Sequence, residues 1–476
     1  MRVMFLLLIL SLSAGCTTIT ANKPSVEQMS EHWQIQSGQR LPQVKDVGLS
    51  TWWEQFGDER MNTLIKMVID ANHDLKLAKS RVIESRELRN SRQGFLAPQI
   101  DATANYSRVR QSQNAPTYSP GSKTNFNAFN TGLEASWELD LYGGVQAGVD
   151  VADAEVKVSE LDGYAIRIAV IAEAVRNYVE LRVLQQQLQA AQESSSSSRG
   201  IEDIVRIKES NGLVPLLNVS RAEAQRSSVD AEVVRLRGEV ERVKNHLAVL
   251  AGQRPGELET TLGSGTVPLV PDTVGIYTPA ELLSRRPDIL RAEQEVIAAS
   301  GRVKISRTDL YPRVSLLGSI GTQSISLSNL IAAGSNYLAA GPSIRFPLFN
   351  FGRLRSLVKA EEARQQQAVV GFEKSVLTAL EDVENSIVLY IRSEERRRHL
   401  ASAVEASLQA RIQAEDLYQS GVGDYVPVLD TQRTHADLRA QLHQSEGNAA
   451  KALISLNTAL GGGWDVTQHV VANNNK

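Results

Sequence analysis

The 476 residues hold a single cysteine, Cys16, which excludes an intrachain disulfide and a cysteine-based zinc site. The seven histidines are scattered. There is no His-Glu-x-x-His and no Gly-x-x-x-x-Gly-Lys phosphate loop, and Gly143, Gly144 and Gly148 have the wrong spacing, and an anionic neighbourhood, for holding a phosphate. No catalytic constellation emerges, so an enzyme is not expected, nor a cofactor or bound metal. Charge of one sign is also missing, the formal balance being −3. The one basic run, Arg396, Arg397, Arg398 and His399, follows Glu394 and Glu395 inside a helical stretch and reads as a solvated face, so no nucleic-acid partner is expected.

Proline is absent from Gly352 to Ser420, where the only interior glycine is Gly371. A helix through this stretch is roughly 100 Å long at 1.5 Å per residue. Its apolar positions step by fours and threes through Val376, Leu380, Val383, Ile387 and Tyr390, with Glu361, Arg364, Glu373, Lys374 and Arg396 on other faces. That is a coiled-coil seam, longer than a compact domain needs.

At the N-terminus, Arg2 precedes an apolar run from Val3 to Leu10, too short to span a bilayer and read as a secretory signal over residues 1–15. Ala14 and Gly15 before Cys16 resemble a bacterial lipobox, in which the cysteine is acylated and anchors the mature chain by about 0.8 kcal/mol per buried methylene. By resemblance to such lipoproteins, Thr17 after the cysteine favours the outer membrane.

Residues 16–50 are polar, with Pro24 and Pro42, and read as extended. Asp58 is a candidate N-cap for a helix running to about Arg92. Residues 98–107 then alternate, with Ile100, Ala102, Ala104 and Tyr106 on one face and Asp101, Thr103, Asn105 and Ser107 on the other. After a polar loop the alternation resumes through Phe129, Thr131, Leu133, Ala135, Trp137 and Leu139. No further strands offer a covering layer for the apolar face, which makes lipid the economical neighbour and the polar face a water-filled lumen. Trp137 and Phe346 near strand ends are candidate interface aromatics. From Gly144 a long helix is predicted to about Ser210, with its seam at Leu161, Tyr164, Ile168, Ile171, Val175 and Tyr178, and a shorter one returns to about Leu250.

All of this recurs. Pro98 matches Pro312, the Trp137–Gly143 stretch matches Phe346–Gly352, and Gly212-Leu213 matches Gly421-Val422, at offsets of 209 to 214 residues. Because the serine run at 194–198 falls opposite the second rod, it is read as helix rather than linker. The boundaries that follow are a first repeat at 51–262 with strands at about 97–140, a linker at 263–279, a second repeat at 280–462 with strands at about 311–350, and a polar tail at 463–476. The fold class is mainly α with a transmembrane β-barrel. Four strands per chain cannot close a barrel, whose smallest single-chain bacterial form has about eight, so an oligomer that pools its strands is expected.

The lipobox, Trp52-Trp53-Glu54-Gln55-Phe56, Ser284-Arg285-Arg286-Pro287-Asp288-Ile289 and the Pro98/Pro312 pair together resemble the TolC-like outer membrane efflux proteins, over roughly residues 51–462. The closer likeness is to the lipoprotein branch that serves resistance-nodulation-division pumps. The resemblance implies a homotrimer with a twelve-stranded barrel in outer membrane lipid and an α-helical coiled-coil tunnel across the periplasm. Its partners would be a periplasmic adaptor (membrane fusion) protein and an inner membrane pump. The function implied is a passive exit duct for small molecules such as drugs. A duct for type I protein secretion or metal-ion efflux shares the fold, and a structural coiled-coil lipoprotein without a channel is the reading from another class.

Independently, the stretch Tyr418–Asp430 reads as a tight helix reversal, with Gly421 and Gly423 at the turn and Pro427 in the first turn of the returning helix. In three copies around an axis, Val426 would form an apolar ring and Asp430, one helical turn on, a ring of carboxylates. By resemblance, Val426 and Asp430 fall on the family's gate positions, and Tyr418 and Arg433 on its closing network. Gln419 and Val426 depart from the arginine and leucine frequent in this branch, so a gate with different latching contacts is expected. Gly212, Leu213, Gly421 and Val422 are the candidate adaptor-docking tips.

Overall fold

The computed structural model describes residues 49–116, 118–268 and 285–465. The signal, the Cys16 lipobox, nearly all of the segment to residue 50, Ser284, most of the linker and the tail from residue 466 lie outside the described residues.

A 3-10 turn at Leu49–Phe56 leads into α1 (Glu59–Ala71) and α2 (His73–Gly94), then β1 (Gln99–Arg110), β2 (Asn125–Leu139), α3 (Gly144–Ser210), α4 (Leu216–Leu250) and the short α5 (Glu259–Leu262). The second half brings α6 (Pro287–Thr308), β3 (Arg313–Ser324), β4 (Asn336–Arg345), α7 (Arg353–Gln419) and α8 (Tyr425–Ala459). The halves match element by element. The long helices α3 and α7 have 67 residues each, α4 and α8 have 35, α2 and α6 have 22, and β1 and β3 have 12. Strand β4, with 10 residues against 15 in β2, differs in length, and α1 and α5 have no counterpart among the described residues of the second half.

Contacts divide the chain into two compact units. One holds residues Ile83–Val158 and Ala292–Glu373 and contains a four-stranded antiparallel sheet in the order β1-β2-β3-β4. Its register keeps the two faces distinct across all four strands. Ala102 faces Leu133, Leu133 faces Ile320 and Ile320 faces Leu338 on the apolar side. Asp101 faces Glu134, Glu134 faces Ser319 and Ser319 faces Ala339 on the other. The apolar face is uncovered: Ile100 is 67% exposed, Ile320 56% and Leu338 77%. Tyr337 lies across Gly321 and Gly132 on the polar face, in space that a side chain at either glycine would take. Below the sheet, Gly301 of α6 admits Val151 of α3, and Tyr142 stacks on Tyr311 at 4.8 Å.

The other unit's described residues come from 49–82, 159–291 and 374–465, and it holds the main core. Trp52, Trp53 and Phe56 pack with Met61, Leu64, Ile65 and Val68 against the seam residues Ile171, Val175 and Tyr178, and against Leu247 and Leu453. A fully buried Leu or Ile contributes about 1.5–3 kcal/mol, so this block is the anchor of the helices that leave it. On α7 the expected seam is found, with Val376, Val383, Ile387 and Tyr390 buried and Leu380 half-buried. The serine run is helical, and Ser195 and Ser198 are buried in it.

Three expectations differ from the structure. The helix predicted from Asp58 to Arg92 is two helices, broken at Asn72 (ψ 136°). The Asn72 amide donates to the Leu250 carbonyl at 2.9 Å while its side-chain oxygen accepts from the backbone of Asp74 and Leu75, so one residue closes α1 and caps α2. Asp58 is the N-cap, as expected, accepting from the backbone of Arg60 and Met61. The strand pair placed at about 311–350 occupies 313–345, and residues 346–350 have no strand partner among the described residues. Residues 49 and 50, read as extended, already belong to the 3-10 turn.

Candidate functional site

The two helix reversals are built alike, 209 residues apart. At the first, Gly212 has φ +72° and its amide donates to Glu209, while Leu213 donates to Lys208. At the second, Gly421 has φ +80°, its amide donates to Tyr418, and Val422 donates to Leu417. Positive φ satisfies the last helical carbonyls at a geometry that glycine adopts without steric cost. Asp424 then caps α8 through Tyr425 N at 2.6 Å. The residues after the glycines stand in solvent, Leu213 at 72% exposed and Val422 at 80%.

Above these turns lies a small packed cluster of Ile201, Val205, Val219, Ala222, Tyr418, Tyr425, Val428 and Leu429. Tyr418 is inside it, 5.6 Å from the Tyr425 ring. Lys208 ties the first reversal to the second: its Nζ lies 3.9 Å from the Tyr418 ring centroid and donates to the Tyr418 carbonyl at 2.6 Å. Burial, with the Asp424 carboxylate adding to it, pushes the Tyr418 phenol up, and its hydroxyl has no hydrogen-bond partner among the described residues.

The other three candidates lie on the solvent side of α8. Val426, Asp430 and Arg433 follow at steps of four and three, all exposed. Asp430 has no ion-pair partner among the described residues. Arg433 Nε donates to Gln225 of α4 at 2.7 Å. Within one chain, then, Val426, Asp430 and Arg433 share a stripe, whereas Tyr418 supports it from the packed side.

Sequence reading missed the layer just beyond this cluster. Ser407 bonds His435 Nδ1 at 2.9 Å, Gln432 donates to Glu415 at 3.0 Å, Arg411 pairs with Glu415 at 3.0 Å, and Arg439 with Glu193 at 2.9 Å. His435, Gln432, Arg411, Arg439 and Glu193, with Ser194, Ser197, Ser198 and Gln225, line a cavity of about 210 Å³. The signal was present in the serine run and in His435, at seam positions where apolar residues would continue the coil. Burial first, then the Arg411 and Arg439 charges, pull the His435 pKa down.

A second polar constellation explains the Arg-Arg-Pro-Asp motif. Arg286 bonds Asp288 at 2.7 Å, Asp382 at 2.9 Å and the Ala459 carbonyl at 3.0 Å, while Trp464 Nε1 donates to the Arg285 carbonyl at 3.1 Å. The motif clamps α6, α7 and the end of α8 together.

The model of outer membrane efflux proteins matches residues 64–253 and again 278–462. The chain belongs to the outer membrane efflux protein family. Its two matches coincide with the internal repeat. The probable outer membrane lipoprotein SilC of Salmonella typhimurium is 28% identical, over 97% of this chain and all of that protein. The cation efflux system protein CusC of Escherichia coli O6:H1 is 29% identical, over 87% of this chain and 88% of its own length. Among solved structures, the outer-membrane channel OprN superposes with a TM-score of 0.83 at 29% identity, over 93% of this chain and 99% of that one. The described residues of this efflux protein are thus mainly helical with one four-stranded sheet, and its structural neighbours are outer membrane channels rather than enzymes.

Proposed function

We propose that the protein is the outer membrane exit duct of a tripartite efflux pump, passively conducting small molecules such as drugs from periplasm to exterior. The observation that carries this reading is the two-faced sheet joined to helices of 67 residues. An apolar face exposed along every strand fits lipid, and a polar face fits a water-filled lumen. Four strands do not close a barrel, so three copies pool twelve, and their long helices continue as a periplasmic tunnel. Cys16 carries the lipid anchor. The partners are a periplasmic adaptor, received at Gly212, Leu213, Gly421 and Val422, and an inner membrane resistance-nodulation-division pump.

The gate lies where α8 leaves the second reversal. Val426 and Asp430 face the axis in each copy, giving an apolar ring above a ring of three carboxylates, and Arg433 and Tyr418 hold the stripe in place. Exposure of Val426 and Asp430 in the single chain supports this, since a partner remains to be met. The test is single-channel recording in planar bilayers together with drug sensitivity. Asp430→Ala raises conductance and sensitises cells to large antibiotics entering through the open duct; unchanged conductance and unchanged sensitivity remove Asp430 from the gate.

A further inference from the structure

The cavity of about 210 Å³ between α3, α4, α7 and α8 has spare hydrogen-bond donors on several of the helices that line it. The two carboxylates beside it are already taken. Glu193 accepts from Arg439 at 2.9 Å and from Gln189 at 3.1 Å, and Glu415 accepts from Arg411 and from Gln432, each at 3.0 Å. What is left over is N–H and O–H. Among the described residues the buried Arg411 Nε has no hydrogen-bond partner, Arg439 is bonded through Nη1 alone, and the Ser194 and Ser198 hydroxyls bond nothing.

His435, only 7% exposed, lines the same space from α8. Because the Ser407 hydroxyl donates to the Val404 carbonyl at 2.8 Å, it accepts from His435 Nδ1–H at 2.9 Å, and Nε2 is left to take up a second proton. Protonation would add a third cation beside Arg411 and Arg439, opposed by Glu415 and Glu193.

The internal repeat gives an independent measure of the imbalance. At the same places 209 residues earlier the charges are reversed: Glu202 stands for Arg411, Arg206 for Glu415 and Asp230 for Arg439. Buried Glu202 is paired twice, with Arg206 at 2.8 Å and with Arg226 at 3.2 Å. Arg411 has Glu415 alone, because the counterpart of Arg226 is His435, which brings no negative charge. A buried, unmatched guanidinium N–H is costly unless an acceptor reaches it.

We propose that this cavity binds one small tetrahedral oxyanion, of the sulfate or phosphate class, held by Arg411, Arg439 and the Ser194 and Ser198 hydroxyls. The volume is several times the ~30 Å³ share of a water in the liquid, so such an ion enters with water around its remaining oxygens. The planar guanidinium fork matches two oxygens of the ion. Bridging α3 to α7 and α8, the ion ties the first repeat to the second just beyond the packed cluster at the helix reversals. Protonated His435 contributes one more N–H, so binding strengthens as pH falls.

Equilibrium dialysis of radiolabelled sulfate against full-length protein in detergent, at fixed ionic strength, reads this directly, because sulfate keeps its double charge from pH 7.5 to 6.0. One saturable site per chain is expected, binding about threefold or more tighter at pH 6.0 than at 7.5. Arg411→Gln and Arg439→Gln should each weaken binding about tenfold or more, and Ser198→Ala by less. His435→Gln should bind no tighter at pH 6.0 than at 7.5. Should Arg411→Gln fail to fold, the Arg439 and Ser198 variants carry the test. No saturable binding at pH 6.0, or binding that Arg439→Gln and Ser198→Ala leave unchanged, overturns the proposal and makes the cavity a water-filled gap. A gain at pH 6.0 that persists in His435→Gln overturns the part given to His435.

Discussion

His435 is buried in the seam between helices, bonded to Ser407, with Arg411 and Arg439 as its charged neighbours and Glu415 opposing them. Its pKa is below the ordinary 6.5, so the folded protein holds it neutral while the unfolded chain takes up a proton near that value. Its contribution is intact above about pH 6.5 and is lost as pH falls below, where the unfolded state binds the extra proton. Wild-type protein should lose more thermal stability between pH 7.5 and 5.5 than His435→Gln, which keeps a hydrogen bond to Ser407; equal losses would remove His435 as the cause. Arg286 makes a different case. Removing it strands Asp382 and the Ala459 carbonyl, and because both aspartates are half-exposed the cost of Arg286→Ala falls to about 2 kcal/mol, below the range for fully buried pairs. Thermal unfolding in detergent reads that loss. The motif holding Arg286 was legible as a family mark, but its work as a clamp was not, because Asp382 and Ala459 are about a hundred and more residues away.

Elements were the most legible scale. Seam periodicity, absent prolines and glycines past the ends determine α3, α4, α7 and α8 from local sequence. The break at Asn72 was hidden because it depends on a bond to Leu250, 178 residues away. The polar layer around His435 was hidden for another reason: charged and serine side chains at seam positions look like a solvated face until both helices are placed. Close approach of helices is equally nonlocal. A Cβ at Gly301 would collide with Val151 Cγ2, so Gly301→Ala should destabilise the α3–α6 contact by about 1–3 kcal/mol. Val151→Ala clears that space, and the double variant should regain most of the loss in thermal unfolding. Failure of Val151→Ala to rescue would mean that Gly301 is needed for some reason other than this contact.

At the scale of the whole molecule, what the sequence withheld was the neighbour. The strands' alternation gave both faces, yet β4 ends at Arg345, two residues before Pro347, which has no N–H to give a strand ladder. If the apolar face meets lipid, the two faces must respond oppositely to the same charge. Leu133 sits mid-strand on the apolar face, opposite Ala102, and the adjacent pair Thr103–Gly132 lies on the polar face. A lysine facing hydrocarbon near the bilayer centre costs about 2–4 kcal/mol, whereas one facing a water-filled lumen alters selectivity instead. Leu133→Lys should therefore cut the yield of heat-modifiable trimer in outer membranes severely. Thr103→Lys should assemble normally and shift the reversal potential toward anions in planar bilayers, since the lumen would gain a ring of three positive charges. Equal yields from the two variants, or an anion shift from Leu133→Lys alone, would mean that the faces have been assigned the wrong way round.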